Sequence, residues 1–398
     1  MPGFLHTRVW RHRESARHLQ PETTEIPLSQ AVEAIAGRFH PRERITAIRS
    51  LGSGNVNDTF LVTHQGHRPS GPAGSFVLQR LNRRVFERPE LVMHNLVALG
   101  DHVQRRLASP PAELRGRRWE VPQVVRCRQQ GHWVEQDGEF WRSITYIGAA
   151  TTTDVILDRN HAREVGYGLG MFHSLISDLP ADQLKDTLEN FHVTPAYLNR
   201  YDSVKKSCQS ADPGVCTAGA FIEARRHGID VLEAALQRGE LQQRPIHGDP
   251  KINNVMIDET SGHAVGLIDL DTVKPGLVHY DIGDCLRSCC NPAGEETDQL
   301  HTVRFDLELC ESILEGYLSV ARHFLSDWDL HYLPDCIRLI PLELGLRFLT
   351  DHLEGDVYFR TERPGHNLQR AAVQFRLTES VEQQLPQIKA MVRRLAGC

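Results

Sequence analysis

A chain of 398 residues, 40% hydrophobic and 24% charged, has enough apolar material for two lobes with separate cores and the composition of a soluble globular protein. Its net charge of −6 argues against a nucleic-acid or anionic-membrane partner, and no apolar run approaches the roughly eighteen residues of a membrane span. The nine cysteines are odd in number and form no C-x-x-C pair, so they read as reduced thiols of a cytoplasmic protein, not as a disulfide framework or a zinc site.

Residues 1–25 carry several arginines and histidines but too few apolar residues for a core element, and they read as a disordered extension without a signal-peptide core. A helix is expected from Ser29 as its N-cap through Ala31, Val32, Ile35 and Phe39. From Ile45 the pattern becomes strand, glycine-rich turn, strand: I-T-A-I-R-S-L, G-S-G-N-V-N-D, T-F-L-V-T-H. Such a turn lets backbone amides approach phosphate oxygens, which makes Gly52, Ser53, Gly54 and Asn55 candidates for a phosphate lid, although G-S-G-N also suits an ordinary hairpin.

A third strand, S-F-V-L-Q-R-L-N, follows a Pro/Gly-rich connection. Kinase-type sites carry a phosphate-binding lysine on this strand, but no lysine precedes Lys185. Gln79 falls at the favoured position and Arg80 offers a charge; alternation sends them to opposite faces, so both stay open. Pro89 opens a helix with Leu91, Leu96, Leu99 and Val103 on its apolar stripe and Glu87 and Glu90 as nearby acids. Further strands follow, giving a five-stranded antiparallel sheet with one main helix over 26–148. Tyr146, Ile147 and Gly148 end the last strand as a hinge whose backbone groups face a bound base.

Over 149–398 the pattern is mostly helical. Ile156, Val165, Leu169, Phe172 and Leu175 mark a buried helix, 180–220 reads as a polar insertion, and one long helix is expected from Ala220 to Leu236. Beyond the stretch described next, helices fill most of 298–353, and an amphipathic helix closes the chain from about Glu379.

Between these helices lies H-G-D-P-K-I-N-N-V-M-I-D, a short polar turn, and A-V-G-L-I-D-L-D, ending at Asp271. Two strands joined this tightly lie side by side, which brings Asp249, Lys251 and Asn254 close to Asp269 and Asp271. Phosphoryl transfer from a nucleotide needs this set: a carboxylate to take the hydroxyl proton, an amide oxygen and a second carboxylate to hold Mg2+, and a cation against the moving phosphoryl group. His247, Asp249, Lys251 and Asn254 match the spacing of the kinase loop H-R-D-x-K-x-x-N, and Asp269 follows twenty residues after Asp249. Asp271 reads as a second metal ligand or a strand cap, and Asp281 and Asp284 as braces of the loop.

From about Ile45 to Glu382 the chain resembles the phosphotransferase family that includes aminoglycoside phosphotransferases and choline kinases, and within it the N-acetylhexosamine 1-kinases. The resemblance is carried by L-G-S-G-N-V-N-D-T-F, F-V-L-Q-R-L-N, H-G-D-P-K-I-N-N-V-M, I-D-L-D-T-V-K-P-G, Y-D-I-G-D and L-E-L-G-L-R-F-L-T-D. It implies an α+β, bilobal, protein-kinase-like fold, Mg-ATP as donor, and the anomeric hydroxyl of GlcNAc or GalNAc as acceptor. It maps the base onto Asp249, the metal ligands onto Asn254 and Asp269, and sugar contacts onto Arg347 and Tyr358. The alternatives are another hydroxyl acceptor, such as an aminoglycoside, a choline-like amino alcohol or another sugar, and a catalytically silent nucleotide-binding regulator. An acidic cleft from Asp351, Glu354 and Asp356 would suit a cationic acceptor, against which stand Arg347 and Arg360. A monomer or a dimer is equally compatible with the sequence.

Overall fold

Strand-forming runs rich in β-branched and aromatic residues build the first part of the chain. The computed structural model describes residues 30–40, 43–51, 56–66, 73–128, 131–208 and 210–397. The expected N-terminal extension and Gly52, Ser53, Gly54 and Asn55 therefore lie outside the described residues. Strands β1 (Glu43–Ser50), β2 (Asp58–Gly66) and β3 (Ala73–Leu81) form an antiparallel meander. With β4 (Val124–Val125), β5 (Val134–Gln136) and β6 (Glu139–Thr145) they make one six-stranded sheet, ordered β1-β2-β3-β6-β4 with β5 on β6. The sheet thus has one strand more than the five expected, because V-P-Q-V-V-R-C-R and G-H-W-V-E each contribute a short strand, β4 and β5.

Strand alternation gives the sheet two different faces. Phe76, Leu78 and Trp141 pack with Ile35 and Phe39 of α1 (Gln30–Phe39) in a small outer cluster. Leu81 and Phe140 join the main core with Val92, Leu96 and Leu99 of α2 (Pro89–Leu107). Gln79 and Arg142 are directly paired across β3 and β6 on this second, inner face.

The rest is mainly helical: α3 (Arg159–Ile176), α4 (Thr194–Ser207), α5 (Pro213–Glu223) and α6 (Val231–Gln237) precede the central strands. After them come α7 (Val278–Cys289), α8 (Leu307–Ala321), α9 (Asp327–His331), α10 (Leu333–Leu353), α11 (His366–Gln383) and α12 (Leu385–Ala396). Helices α3 and α8 cross at glycine contacts, where a Cβ on Gly166 would come within 1.9 Å of the Ile313 carbonyl oxygen. Three expectations change. The segment 180–220, expected to be polar and loop-like, carries α4 and most of α5; the long helix expected before the loop is broken between α5 and α6, with Gly228 at φ +80°; and the C-terminal helix is two, α11 and α12, with Pro386 in the first turn of the second.

Two small strand pairs hold the central loops. Strands β9 (Val255–Asp258) and β10 (Ala264–Leu267) form the expected antiparallel hairpin, to which β7 (Ala150–Thr151) adds on β9. Strand β8 (Arg244–Ile246), just before the loop, pairs with β11 (Lys274–Gly276), just after Asp271. The loop 247–254 and the turn 269–272 are therefore anchored on both sides. The eight described cysteines are all unpaired, with Cys285, Cys289 and Cys290 buried, and among the described residues no helix is long and apolar enough to cross a membrane.

Candidate active site

The loop 247–254 turns sharply at Gly248, whose φ of +87° lies in the left-handed region. Two of its buried backbone donors are met by one side chain: Asp281, in the first turn of α7, accepts the N–H of His247 at 2.6 Å and of Gly248 at 2.8 Å. His173 adds a third bond to the same carboxylate at 2.8 Å. The buried His247 ring spans the loop to the neighbouring strand, with Nε2 donating to the Ile268 carbonyl at 2.9 Å and Nδ1 accepting the Asp249 N–H at 3.2 Å. Burial pushes the His247 pKa down, in keeping with a neutral ring that has one donor and one acceptor nitrogen.

Asp249 is thereby held half-buried at the loop tip. Lys251 Nζ donates to its Oδ2 at 2.8 Å, and Asn254 Nδ2 donates to its carbonyl at 2.7 Å. Burial opposes the charge on Lys251, but Asp249 outweighs it and raises the lysine's pKa. Asn254 Oδ1 takes no hydrogen bond among the described residues.

Asp269 adopts the left-handed conformation, φ +61° and ψ +55°, at the end of β10. Its side chain is exposed, but the protein packed around the carboxylate raises the cost of ionising it. That packing, with the nearby carboxylates of Asp271 and Asp249, pushes its carboxyl up to about 7. A carboxylate that accepts no hydrogen bond among the described residues and is repelled by its neighbours calls for a cation. Asp269 and the Asn254 amide oxygen are hard donors that fit Mg2+, which binds few protein groups and keeps water and phosphate oxygens. Among the described residues no group of three or more His, Cys, Asp or Glu could hold a metal ion.

Asp271 has partners that the sequence does not suggest. It is 2% exposed and lies 2.5 Å from Arg142 Nη2 of β6, while its Oδ2 accepts Asn57 Nδ2 at 2.7 Å. Gln79 faces the same network, its Oε1 accepting Arg142 Nε at 2.8 Å and Nη2 at 2.7 Å. Arg80 is turned to the outer face, paired with Asp58 and 3.5 Å from Glu139. Neither Glu87 nor Glu90 is drawn inward, both being exposed. Tyr146 is half-buried at the end of the sheet. Arg142 is the residue that the sequence reading missed; only the register placing it opposite Gln79 distinguishes it from an ordinary strand arginine.

Across the loop, Arg347 of α10 lies among three rings, 5.0 Å from Phe191, 5.0 Å from Tyr197 and 5.4 Å from Phe359. It makes no ion pair among the described residues. Burial opposes its charge, but Tyr197, Tyr358 and Glu343 favour it, and its pKa is raised; burial pushes the Tyr197 hydroxyl up to about 12. Tyr358 stands beside it, 53% exposed. Three acids of this segment are occupied elsewhere. Asp351 is buried and accepts the N–H groups of Val357, Tyr358 and Phe359 at 2.8–3.0 Å. Glu354 pairs with Arg200 at 2.6 Å, and Asp356 accepts Asn367 Nδ2 at 2.8 Å. Asp284 is held by Arg287 Nε at 2.8 Å.

A model of the phosphotransferase enzyme family matches residues 47–309. Among solved structures, the chain is similar to an aminoglycoside phosphotransferase from Alicyclobacillus acidocaldarius, with TM-score 0.56, 14% identity, and 93% of this chain and 98% of that one covered. It is similar to a choline kinase from Cryptosporidium parvum, with TM-score 0.53, 13% identity, and 90% and 94% covered. A microcompartment-associated aminopropanol kinase matches with TM-score 0.52, 16% identity, and 90% and 98% covered. At these identities the likeness is one of fold.

Proposed function

The chain belongs to the phosphotransferase enzyme family, with its α+β, protein-kinase-like fold, and from that premise we propose that it transfers the γ-phosphoryl group of ATP to the anomeric hydroxyl of an N-acetylhexosamine, GlcNAc or GalNAc. The convergence of Asp249, Lys251, Asn254 and Asp269 in one cleft supports the transfer step. Asp249 orients the sugar hydroxyl and takes its proton as the oxygen bonds to the γ-phosphorus; the bond from that phosphorus to the bridging oxygen breaks, and ADP leaves with the electron pair. Lys251, 2.8 Å from Asp249, offsets charge on the moving group. Asn254 and Asp269 would hold Mg2+, which supplies charge neutralisation for the phosphates. In this reading Gly52, Ser53, Gly54 and Asn55 cover the phosphates, and Tyr146 to Gly148 form the hinge between lobes 26–148 and 149–398, where the adenine edge meets backbone groups.

The observation that carries the acceptor assignment is the state of the charges around Arg347. A cationic acceptor needs open carboxylates, but Asp351, Glu354 and Asp356 are engaged with the protein, while Arg347 offers a guanidinium that makes no ion pair among the described residues. A neutral sugar fits that wall: its amide carbonyl and hydroxyls accept from Arg347, and Tyr358 packs on its ring. The test is ADP release from Mg-ATP with free hexosamines, choline and aminoglycosides, with the product's phosphate located by phosphorus NMR. Turnover with GlcNAc or GalNAc at the anomeric position is expected. Turnover with cationic acceptors alone would overturn the acceptor assignment, and no turnover despite ATP binding would favour a silent regulator.

A further inference from the structure

In protein kinases a lysine on the third strand grips the α- and β-phosphates and is held by a glutamate of the neighbouring helix. Here that strand presents Gln79 to the cleft, and no acid of α2 approaches it. A guanidinium lies beside it instead. Gln79 holds the Nε and Nη2 edge of Arg142, Asp271 lies against Nη2 at 2.5 Å, and Asn57 anchors Asp271 while accepting the Asn82 N–H at 3.0 Å. The end of the glycine-rich turn, β3, β6 and the turn after Asp269 are thus tied into one buried polar network.

That network is incomplete. Arg142 is 2% exposed, yet its Nη1 has no hydrogen-bond partner among the described residues, and neither has Asp271 Oδ1, which makes a close ion pair rather than an aligned hydrogen bond. A guanidinium has five N–H donors, and leaving part of a buried charge unbonded is unfavourable unless a ligand completes it. The charge lies near enough to Asp269 to oppose the influences that push up its carboxyl, which sets it beside the proposed metal ligand.

We propose that Arg142 is the phosphate-binding cation of the first lobe, its Nη1 donating to the α- or β-phosphate of the nucleotide, with Gln79 and Asp271 as the residues that position it. The assignment rests on the reading of this cleft as a nucleotide site. Asp271 then fills the place of the helix glutamate, and the pair travels with the turn that carries Asp269.

The test compares binding of Mg-ADP and of adenosine to the full chain by calorimetry, with melting curves to confirm folding. R142M/D271N removes both charges, so that neither is left buried alone. It should weaken Mg-ADP by roughly 10- to 100-fold and change adenosine by less than about twofold. R142K keeps a charge but loses the planar fork, and should weaken Mg-ADP selectively and by less. Wild-type Mg-ADP affinity in a folded R142M/D271N protein overturns the proposal, as does equal loss of both ligands in either variant, which marks a structural role. Loss confined to R80M also overturns it. A wild-type protein that binds neither ligand overturns the nucleotide reading and this assignment with it; one that binds Mg-ADP upholds that reading whatever the Arg142 variants do.

Discussion

Glu343, in the middle of α10, holds His192 by its Nδ1 at 2.9 Å. The opposite nitrogen, Nε2, donates to the carbonyl of Gly248 at 2.8 Å, immediately before Asp249. Both ring nitrogens therefore donate, which only the imidazolium can do. Thr194 satisfies the second Glu343 oxygen at 2.8 Å. His192 itself has φ +65°, a conformation that an L side chain adopts only when its contacts impose it. Helix α10 carries Arg347 one turn further on, so this pair couples the proposed acceptor wall to the loop that bears the proposed base.

This relationship makes stability depend on pH. Burial opposes the His192 charge, but the Glu343 carboxylate outweighs it and raises the pKa above the ordinary value. A raised folded pKa means that the stabilisation is fully present below about 6.5, the unfolded value, and is lost as pH rises through the higher folded one. Glu343→Gln removes the cause. The difference in melting temperature between wild type and E343Q should be largest near pH 6 and shrink steadily as pH is raised. A gap independent of pH would show that His192 is neutral in the folded protein.

Asp249→Asn keeps the size of the side chain but removes the proton acceptor. Turnover should fall by about 10²- to 10⁴-fold, the usual effect of deleting a positioned acid or base, while Mg-ADP binding stays within about twofold. Steady-state kinetics and calorimetry on the same preparation check both halves. Near-normal turnover in the folded variant would sink the assignment of the base.

The loop and its hairpin were legible because their polar residues are contiguous, regularly spaced and set between apolar strands, so local connectivity alone brings Asp249 near Asp269. Arg142 was not legible, since W-R-S within a strand reads like any edge-facing arginine until the β3–β6 register sets it opposite Gln79. The same register decides which of Gln79 and Arg80 faces inward, a choice that alternation could pose but not resolve. The Glu343–His192 pair spans 151 positions, a distance over which sequence pattern carries no information. The Arg142 partner of Asp271 is likewise not legible, because it comes from the sheet and not from its own neighbourhood. The break between α5 and α6 was missed for a different reason: one glycine weakens a helical pattern by only about 1 kcal/mol and does not erase its period.

Arg347→Met retains much of the packing against Phe191, Tyr197 and Phe359 but removes the donors and the charge. KM for the sugar should rise by roughly 10- to 100-fold, as expected for losing charge-assisted hydrogen bonds, with KM for ATP little changed. Improved use of choline or an aminoglycoside by R347M would support the view that this charge repels cations. An unchanged sugar KM would remove Arg347 from the acceptor site.

Gly248→Ala tests whether the tight turn before Asp249 is a requirement of the site. At φ +87° any L side chain is strained, and a Cβ there would meet the Thr272 carbonyl oxygen at 2.7 Å and Thr272 Cβ at 2.9 Å. Neither atom is the tip of a flexible chain: the oxygen is backbone, and the Thr272 hydroxyl is fixed by its own bond to the His247 carbonyl at 2.8 Å. Relief must come from moving the loop away from the turn 269–272, which lengthens the bonds from His247 and Gly248 to Asp281. Backbone strain alone should lower stability by about 1–3 kcal/mol. The stronger expectation concerns catalysis, because the displacement separates Asp249 from Asp269. In a folded G248A protein, turnover should fall by at least about 10²-fold, the usual penalty for a misplaced reacting group. A variant that melts lower but turns over at the wild-type rate would mean that the loop tolerates the shift, and that Gly248 serves the fold alone.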